Sequence, residues 1–466
     1  MKILLVNPPS QHMISSEIAD VVREGGKLPP LGLLYLHTAL RAAGHEAHFL
    51  DAGNANLSAD HVAQKAVELS IDAVGVTATT HQMVDAVDVL RLIGERLPKV
   101  LRLLGGPHAA VFPEATARLP EVDALLVGEA DTTLVELADS YAGTLSDPPP
   151  AGLLYEKDGT LVGRGECPKP KDLDSLPVPD RSVLDRSLYG DVAVGPGPLA
   201  TVATSRGCPY ACTFCSTPGL PVRLRDPNRV ADELAELAAQ GFREVYFVDD
   251  TFNVDPKRVT ALCEELIRRK LDLQWTCRAR VDQLTPELVA ALKPAGCVRV
   301  QLGVEASTDE GMKVLGKNIT TAQADQAVVA LRTADVPVAA YFMLGTPDQR
   351  SIADLRHTVE FAIRLDPDYA VFNVLVPYPK TRLYDDGVAA GVIDPSGWQR
   401  FAERPFAGFR PPVWTEHLSA DLLYRELKRA YRRFYLRPRV VGRQLRRINA
   451  GNVGTLFKRA WQVAFK

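Results

Sequence analysis

The chain has 466 residues, of which 46% are apolar and 24% charged, so it is a globular protein too long for one ordinary core. Its net charge of −3 excludes a general attraction to nucleic acid. The opening Met1–Pro9 lacks the apolar length and cleavage site of a signal peptide, and no apolar run is long enough to span a bilayer, so a cytoplasmic protein is expected.

The first part alternates short apolar strands with amphipathic helices. Strands are expected at Ile3–Val6, Glu46–Leu50, Ala73–Thr77, Leu101–Leu104 and Ala124–Val127. Helical periodicity covers Leu31–Ala43, His61–Leu69 and Met83–Leu97. This order predicts an α/β unit over residues 1–140, a parallel sheet covered on both faces. Ligands of such sheets sit beyond the carboxyl ends of the strands. The loops there are Asn7–Ser10, Thr77–Thr80, Gly105–His108 and Gly128–Ala130, mostly glycine or small polar residues that suit a large flat ligand. Pro8-Pro9 stands where a dinucleotide fingerprint would need glycines, so NAD is not expected.

Residues 141–195, with Pro148-Pro149-Pro150, Pro168, Pro170, Pro177 and Pro179, read as an extended linker. From 196 to 386 a second alternation follows. Strands are expected at Thr201–Thr204, Glu244–Val248, Gln274–Ala279, Val298–Leu302, Val338–Leu344 and Tyr369–Val374. Six strand–helix repeats predict a partial (β/α)6 barrel, with its chemistry at the carboxyl ends of the strands. Residues 387–466 form a helical tail, in which Arg425, Lys428, Arg429, Arg432, Arg433, Arg437, Arg439, Arg443, Arg446 and Arg447 cluster. Leu422, Leu423, Leu427, Tyr431, Phe434 and Tyr435 interleave at helical spacing, and Pro438 is expected to break that helix. The pattern reads as a helix docked by its apolar stripe with a solvated basic face, or as a contact for an anionic membrane or an acidic partner.

Seven cysteines in a chain this long do not make a disulfide framework; in a reducing compartment clustered cysteines bind metal or do chemistry. Three of them lie in Ser205-Arg206-Gly207-Cys208-Pro209-Tyr210-Ala211-Cys212-Thr213-Phe214-Cys215, directly after the first barrel strand. Cys208, Cys212 and Cys215 can hold three irons of a four-iron cluster, leaving one iron open. A structural zinc site would want a fourth ligand, and no histidine is near in sequence. Cys263, Cys277 and Cys297 are spaced too widely for a motif, and Cys167 lies in the linker.

The spacing of the three cysteines, with an aromatic before the last, resembles the radical S-adenosylmethionine superfamily. Together with Asn7-Pro8-Pro9, Pro29-Pro30-Leu31-Gly32-Leu33, Leu104-Gly105-Gly106-Pro107-His108 and Gly128-Glu129-Ala130, the chain resembles the cobalamin-binding subfamily over nearly its whole length. The resemblance implies a doubly wound, Rossmann-like cobalamin-binding domain before the barrel. It implies three cofactors: a [4Fe-4S] cluster, S-adenosylmethionine and cobalamin. In that family the open iron chelates the methionine moiety, and one-electron reduction releases a 5′-deoxyadenosyl radical. By the same resemblance Phe214 lies near the adenine, Asp249 or Asp250 meets the methionine amino group, and Arg280 its carboxylate. Glu305 meets the ribose, and Gly345 offers backbone near the adenine. Gly105, Gly106 and His108 are candidate cobalamin contacts. Other cobalamin proteins carry Asp-x-His-x-x-Gly after the first strand; here Ser10 and Ser15 flank His12, so His12 is not expected to ligate cobalt.

The activity so implied is methyl transfer to an unactivated carbon of a small-molecule, lipid or tetrapyrrole substrate, with a reducing partner such as flavodoxin or ferredoxin. Three other readings remain open. The first is a non-methylating relative such as a magnesium-porphyrin ester cyclase. The second is a radical enzyme whose first domain holds no cofactor, and the third a non-catalytic cluster protein.

Overall fold

A computed structural model describes residues 1–12, 27–163, 165–190 and 197–446. Ser15 and Arg447 lie outside the described residues. In the first sheet, β1 (Lys2–Asn7) pairs in parallel with β2 (Glu46–Asp51) on one side and β3 (Ala73–Thr77) on the other. Ile3, Leu4, Leu5 and Val6 are each buried, because the strand is covered on both faces. β4 (Leu101–Gly105) and β5 (Ala124–Leu126) continue the parallel sheet. The sheet then gains two antiparallel strands, β6 (Leu153–Lys157) and β7 (Thr160–Gly163), to give the order β2-β1-β3-β4-β5-β6-β7.

That hairpin differs from the extended linker expected over this stretch. Asp158 and Gly159 join its strands with φ of 50° and 77°. Two successive positive φ values match the twist of a tight hairpin, and an Asp-Gly pair is the sequence that adopts them most readily. Leu153 and Tyr155 then point into the core of the sheet. The sequence carried this signal, and the prolines around it obscured it.

The second sheet is wholly parallel. Its six strands are β8 (Leu199–Val202), β11 (Glu244–Phe247), β12 (Gln274–Ala279), β13 (Cys297–Glu305), β14 (Val338–Leu344) and β15 (Tyr369–Val374), in sequence order across the sheet. Between β8 and β11 a short antiparallel pair, β9 (Ser205–Arg206) with β10 (Arg223–Leu224), closes a loop. Alternate residues such as Val245, Phe247, Trp275, Val300, Phe342 and Phe372 pack into one core with the covering helices. The opposite face is more polar, and there Gln301 Oε1 accepts from the hydroxyls of Tyr246 (3.1 Å) and Tyr341 (2.7 Å). Cys263, Cys277 and Cys297 are buried thiols of the apolar core, and Cys167 is buried in the first unit.

The chain folds as two units. Of the described residues, one comprises 1–12, Pro29–Leu188 and Pro395–Pro411; the other comprises Lys27 and Leu28, Tyr189–Asp394 and the chain from Pro412 onward. The tail expected after 387 is therefore divided between the two. The helix Ser396–Glu403 packs against Pro113–Ala117 of the first unit, with Trp398 and Phe401 buried.

An open sheet ends in an edge whose backbone groups need partners. At β15 the helix Ala420–Tyr435 supplies them. The Tyr431 hydroxyl accepts from Phe372 N (3.2 Å) and donates to Phe372 O (3.0 Å). Tyr435 does the same for Ala370, at 3.2 and 2.9 Å. The helix buries Leu423, Leu427, Ala430 and Phe434 in the same core, so its apolar stripe is docked, as one of the expected readings had it. A new helix, Pro438–Arg446, starts at Pro438, where a missing N–H costs nothing. Tyr431→Phe should cost about 1–3 kcal/mol in urea unfolding, the penalty of two buried backbone groups left unpaired. Hydrogen exchange should quicken at the Phe372 amide while the amides of β12 stay protected.

Candidate functional site

The three cysteines stand on the loop between β9 and β10. Gly207, at φ +94°, turns the chain into it, and a side chain there would run into the Pro221 carbonyl. The middle of the loop is fastened at Thr213. Its N–H donates to Leu315 O (3.0 Å), its hydroxyl to Val314 O (3.2 Å), and its carbonyl accepts from Leu383 N (2.9 Å). Gly316 lies close enough that a Cβ would come within 2.7 Å of Ala211 O. Cys208, Cys212 and Cys215 are unpaired and half-buried. Cys208 Sγ lies 3.5 Å from Thr251 Oγ1, and Cys215 Sγ accepts from Thr217 N at 3.5 Å. Burial pushes the Cys212 thiol up, while Lys317 and Arg280 oppose that shift. Among the described residues no three His, Cys, Asp or Glu side chains enclose a single metal ion. Three thiols on one loop could hold a cluster, one thiolate to each of three irons.

The place where the loop starts is set by Asp249. Its carboxylate accepts from Thr204 N (3.1 Å), the Thr204 hydroxyl (2.7 Å) and the Ser205 hydroxyl (2.5 Å). Buried Arg258 completes the knot, donating from Nη2 to Thr204 Oγ1 (2.8 Å) and from Nη1 to the carbonyls of Thr204 and Arg225 (3.3 Å each). Asp249 is thus occupied by its own chain, whereas Asp250 is exposed beside it.

At the end of β12, Arg280 is buried. It pairs with Asp282 (2.9 Å), donates to Lys317 O (2.7 Å) and lies 3.7 Å above the Tyr210 ring, so it braces the cysteine loop from the side. Glu305 ends β13 with φ 71°, after a register shift past Gly303. Burial raises its carboxyl, with Lys317 Nζ at 3.6 Å opposing. A Cβ on Gly303 would lie 2.5 Å from Glu305 Oε1 and 2.9 Å from Lys317 Nζ, so a side chain there would displace the charged ends of this pair. Lys317 carried no signal in the sequence; it reaches the site through contacts distant along the chain. Gly345, at φ +78°, donates its N–H to Gln349 Oε1 (2.7 Å), and a Cβ there would lie 2.8 Å from Leu423. Phe214 is half-buried and packs on Leu375, Leu383 and Trp414.

In the first unit, the loops after β3 and β4 interlock. Gly106, at φ +92°, would place a Cβ 2.9 Å from Ala78 N, and its neighbours bond as Ala78 N to Gly105 O and His108 N to Ala78 O, each 3.0 Å. His108 opens the short helix Pro107–Val111 and is fully buried rather than a solvated loop residue. Its Nδ1 lies 3.1 Å from Thr80 Oγ1, and its ring meets Phe112 and Phe401, with centroids at 5.1 and 6.3 Å. Burial lowers its pKa to about 3, and Nε2 has no hydrogen-bond partner. His12 is tied to Asp85, Nδ1 to Oδ1 at 2.9 Å. Loops free of bulky side chains and a buried imidazole nitrogen without a protein partner fit the edge of a large ligand rich in polar groups.

A doubly wound unit of this kind, followed by a six-stranded half-barrel with three thiols at its first strand end, defines an enzyme built to hold two large cofactors. Sequence profiles agree: that of the B12 binding domain matches residues 19–138, and that of the radical SAM superfamily residues 202–362. The chain is 33% identical over 448 residues to an uncharacterized methyltransferase of Pyrococcus horikoshii, covering 95% of this chain and 94% of that one. It is 32% identical over 400 residues to the anaerobic magnesium-protoporphyrin IX monomethyl ester cyclase of Cereibacter sphaeroides, covering 83% of this chain and 63% of the other. Its fold is similar to that of the radical S-adenosylmethionine methyltransferase TsrM from Kitasatospora setae, with a TM-score of 0.69 and 22% identity over 84% of this chain and 76% of that one. The chain belongs to the cobalamin-binding radical S-adenosylmethionine family. Its cofactors are a [4Fe-4S] cluster, S-adenosylmethionine and cobalamin.

Removing one member of a buried ion pair leaves the other uncompensated, at about 3–5 kcal/mol. Lys317→Met should therefore destabilise the fold and raise Glu305 further. A native carboxyl above its unfolded value of 4.5 holds its proton longer than the unfolded chain does. The deficit should be smallest below that pH and grow as pH rises through the native pKa. Urea unfolding of wild type and variant at several pH values measures this; a deficit independent of pH would detach Lys317 from Glu305.

Proposed function

We propose that the enzyme transfers a methyl group to an unactivated carbon of a small-molecule substrate. The observation that carries this reading is the likeness to a methyltransferase over almost the full length of both chains. Cys208, Cys212 and Cys215 bind three irons and leave the fourth for the methionine end of S-adenosylmethionine. Asp250 faces the methionine amino group and Arg280 contributes positive charge beside its carboxylate. Glu305, held by Lys317, accepts from the ribose hydroxyls. Phe214 and the backbone at Gly345 flank the adenine, and Gly105, Gly106 and His108 meet cobalamin. When bound, the cluster with S-adenosylmethionine supplies a hydrogen-abstracting radical, and cobalamin supplies the methyl group. The protein's part is to fix these positions and keep them dry. His108, neutral at physiological pH, offers Nε2 as a hydrogen-bonding group without adding charge.

Relatives act on tetrapyrroles or lipids: the Cereibacter cyclase on a porphyrin ester, a methylase of Methylococcus capsulatus on hopanoid. A substrate of that size and apolarity suits this reading, with electrons from a flavodoxin or ferredoxin in the cytoplasm. The 32% identity to the cyclase favours one second reading, ring closure without methyl transfer.

Reconstituted enzyme supplied with S-adenosylmethionine carrying a deuterated methyl group separates the two. Label in the product is the expected result; deoxyadenosine with an unlabelled cyclised product would establish the second reading instead. Cys212→Ala should abolish deoxyadenosine formation in either case.

A further inference from the structure

The helix Ala420–Tyr435 is docked by one face, and its other face turns Arg425, Arg429, Arg432 and Arg433 outward. Where it meets the helix Pro438–Arg446 there is an open groove of about 440 Å³, lined by Arg429, Arg432, Arg433, Leu436, Arg437 and Pro438. The carboxylates beside these arginines are shared. Arg433 pairs with Glu360 at 3.1 Å. Arg429 has Glu426 at 3.7 Å, which also takes Arg356 at 3.4 Å. Asp366 alone is approached by Arg437, Arg439 and Arg443. Cations are in surplus here, although the chain as a whole is slightly acidic.

Arg437 is held in place rather than left to solvent. Its Nε donates to Phe434 O (2.9 Å), its Nη1 to Ile363 O (3.2 Å), and its guanidinium lies 4.3 Å above the Phe434 ring. Its Nη2 is buried with no hydrogen bond, Asp366 being 3.7 Å away. Its own donors are thus taken up or buried, so the groups that suit a phosphate, whose oxygens accept two parallel bonds, are the exposed guanidiniums of Arg429, Arg432 and Arg433 lining the same groove. Two apolar side chains stand beside it: Leu436 is 54% exposed and Val441 40%. Arginines flanked by outward apolar side chains match an anionic bilayer surface, where headgroup phosphates meet the cations and acyl chains the apolar groups. Among the described residues no helix is long and apolar enough to cross a membrane.

We propose that this groove binds phospholipid headgroup phosphates and seats this face of the barrel unit on an anionic membrane surface. The proposal is independent of the reaction catalysed. It is tested by floating the full-length reconstituted enzyme with vesicles of phosphatidylcholine alone, or with about 30% phosphatidylglycerol. The enzyme should float with the anionic vesicles only, and less as salt rises. The triple variant Arg429→Gln, Arg432→Gln, Arg433→Gln should lower partitioning on the order of 100-fold, at roughly a fivefold loss per arginine. Its deoxyadenosine formation and melting temperature should stay those of wild type. Equal flotation with neutral vesicles, no flotation with either, or a triple variant that floats as wild type does would each overturn the proposal. So would tripolyphosphate raising the melting temperature of wild type but not of the variant in the absence of any flotation, since the groove would then serve a soluble anion.

Discussion

The carboxylate of Asp249 accepts three hydrogen bonds from Thr204 and Ser205, and the site of the barrel unit depends on that knot. A buried carboxylate is costly unless its oxygens are paired. Here the pairing groups are the last residues before the cysteine loop, and Arg258 supplies the balancing positive charge through the same threonine. The end of β8 is thus tied to the end of β11, and the direction in which the chain leaves β8 is fixed. From there Gly207 turns the chain, β9 and β10 close the loop, and Thr213 bolts its centre to residues 314, 315 and 383. Three thiols on a flexible loop would lose ordering entropy when they closed around a cluster. On this loop much of that ordering belongs to the folded protein.

The same economy holds at the end of β13. Gly303 has no side chain, and the space a Cβ would need is filled by the charged ends of Glu305 and Lys317. Lys317 then passes the constraint on, because its carbonyl accepts from Arg280, which stacks on Tyr210 within the cysteine loop. Residues far apart in sequence form one rigid frame around the thiols, built of bidentate, stacked and backbone-directed contacts.

Much of this was legible in the sequence where the signal is local. Apolar runs such as Ile3–Val6 and Val338–Leu344 are strands because burial on both faces leaves no polar position to choose. Three cysteines spaced for one loop read as a cluster site without any structure. What could not be read is non-local. The sequence offers Asp249 and Asp250 as equivalent acids; only the fold shows that the first is consumed by Thr204 and Ser205 and the second exposed. His108 sits among glycine and proline and looks like a loop residue, yet Phe401, nearly three hundred positions later, lies against it. Lys317 resembles any surface lysine until Glu305 is placed beside it. The Asp158-Gly159 hairpin is a different case, a local turn signal set among prolines that by themselves read as an extended connector.

The return of Pro395–Pro411 to the first unit bears on how such a protein can be divided. The first unit is not a contiguous stretch of chain, so no single cut in the backbone separates it intact from the rest. A fragment ending before the barrel would lack Trp398 and Phe401 and would present His108 and Phe112 to water. Gene fusions or domain exchanges that carry only the amino-terminal half would bring an unfinished core with them. The first unit is completed only by a seventeen-residue segment placed after the barrel's last strand.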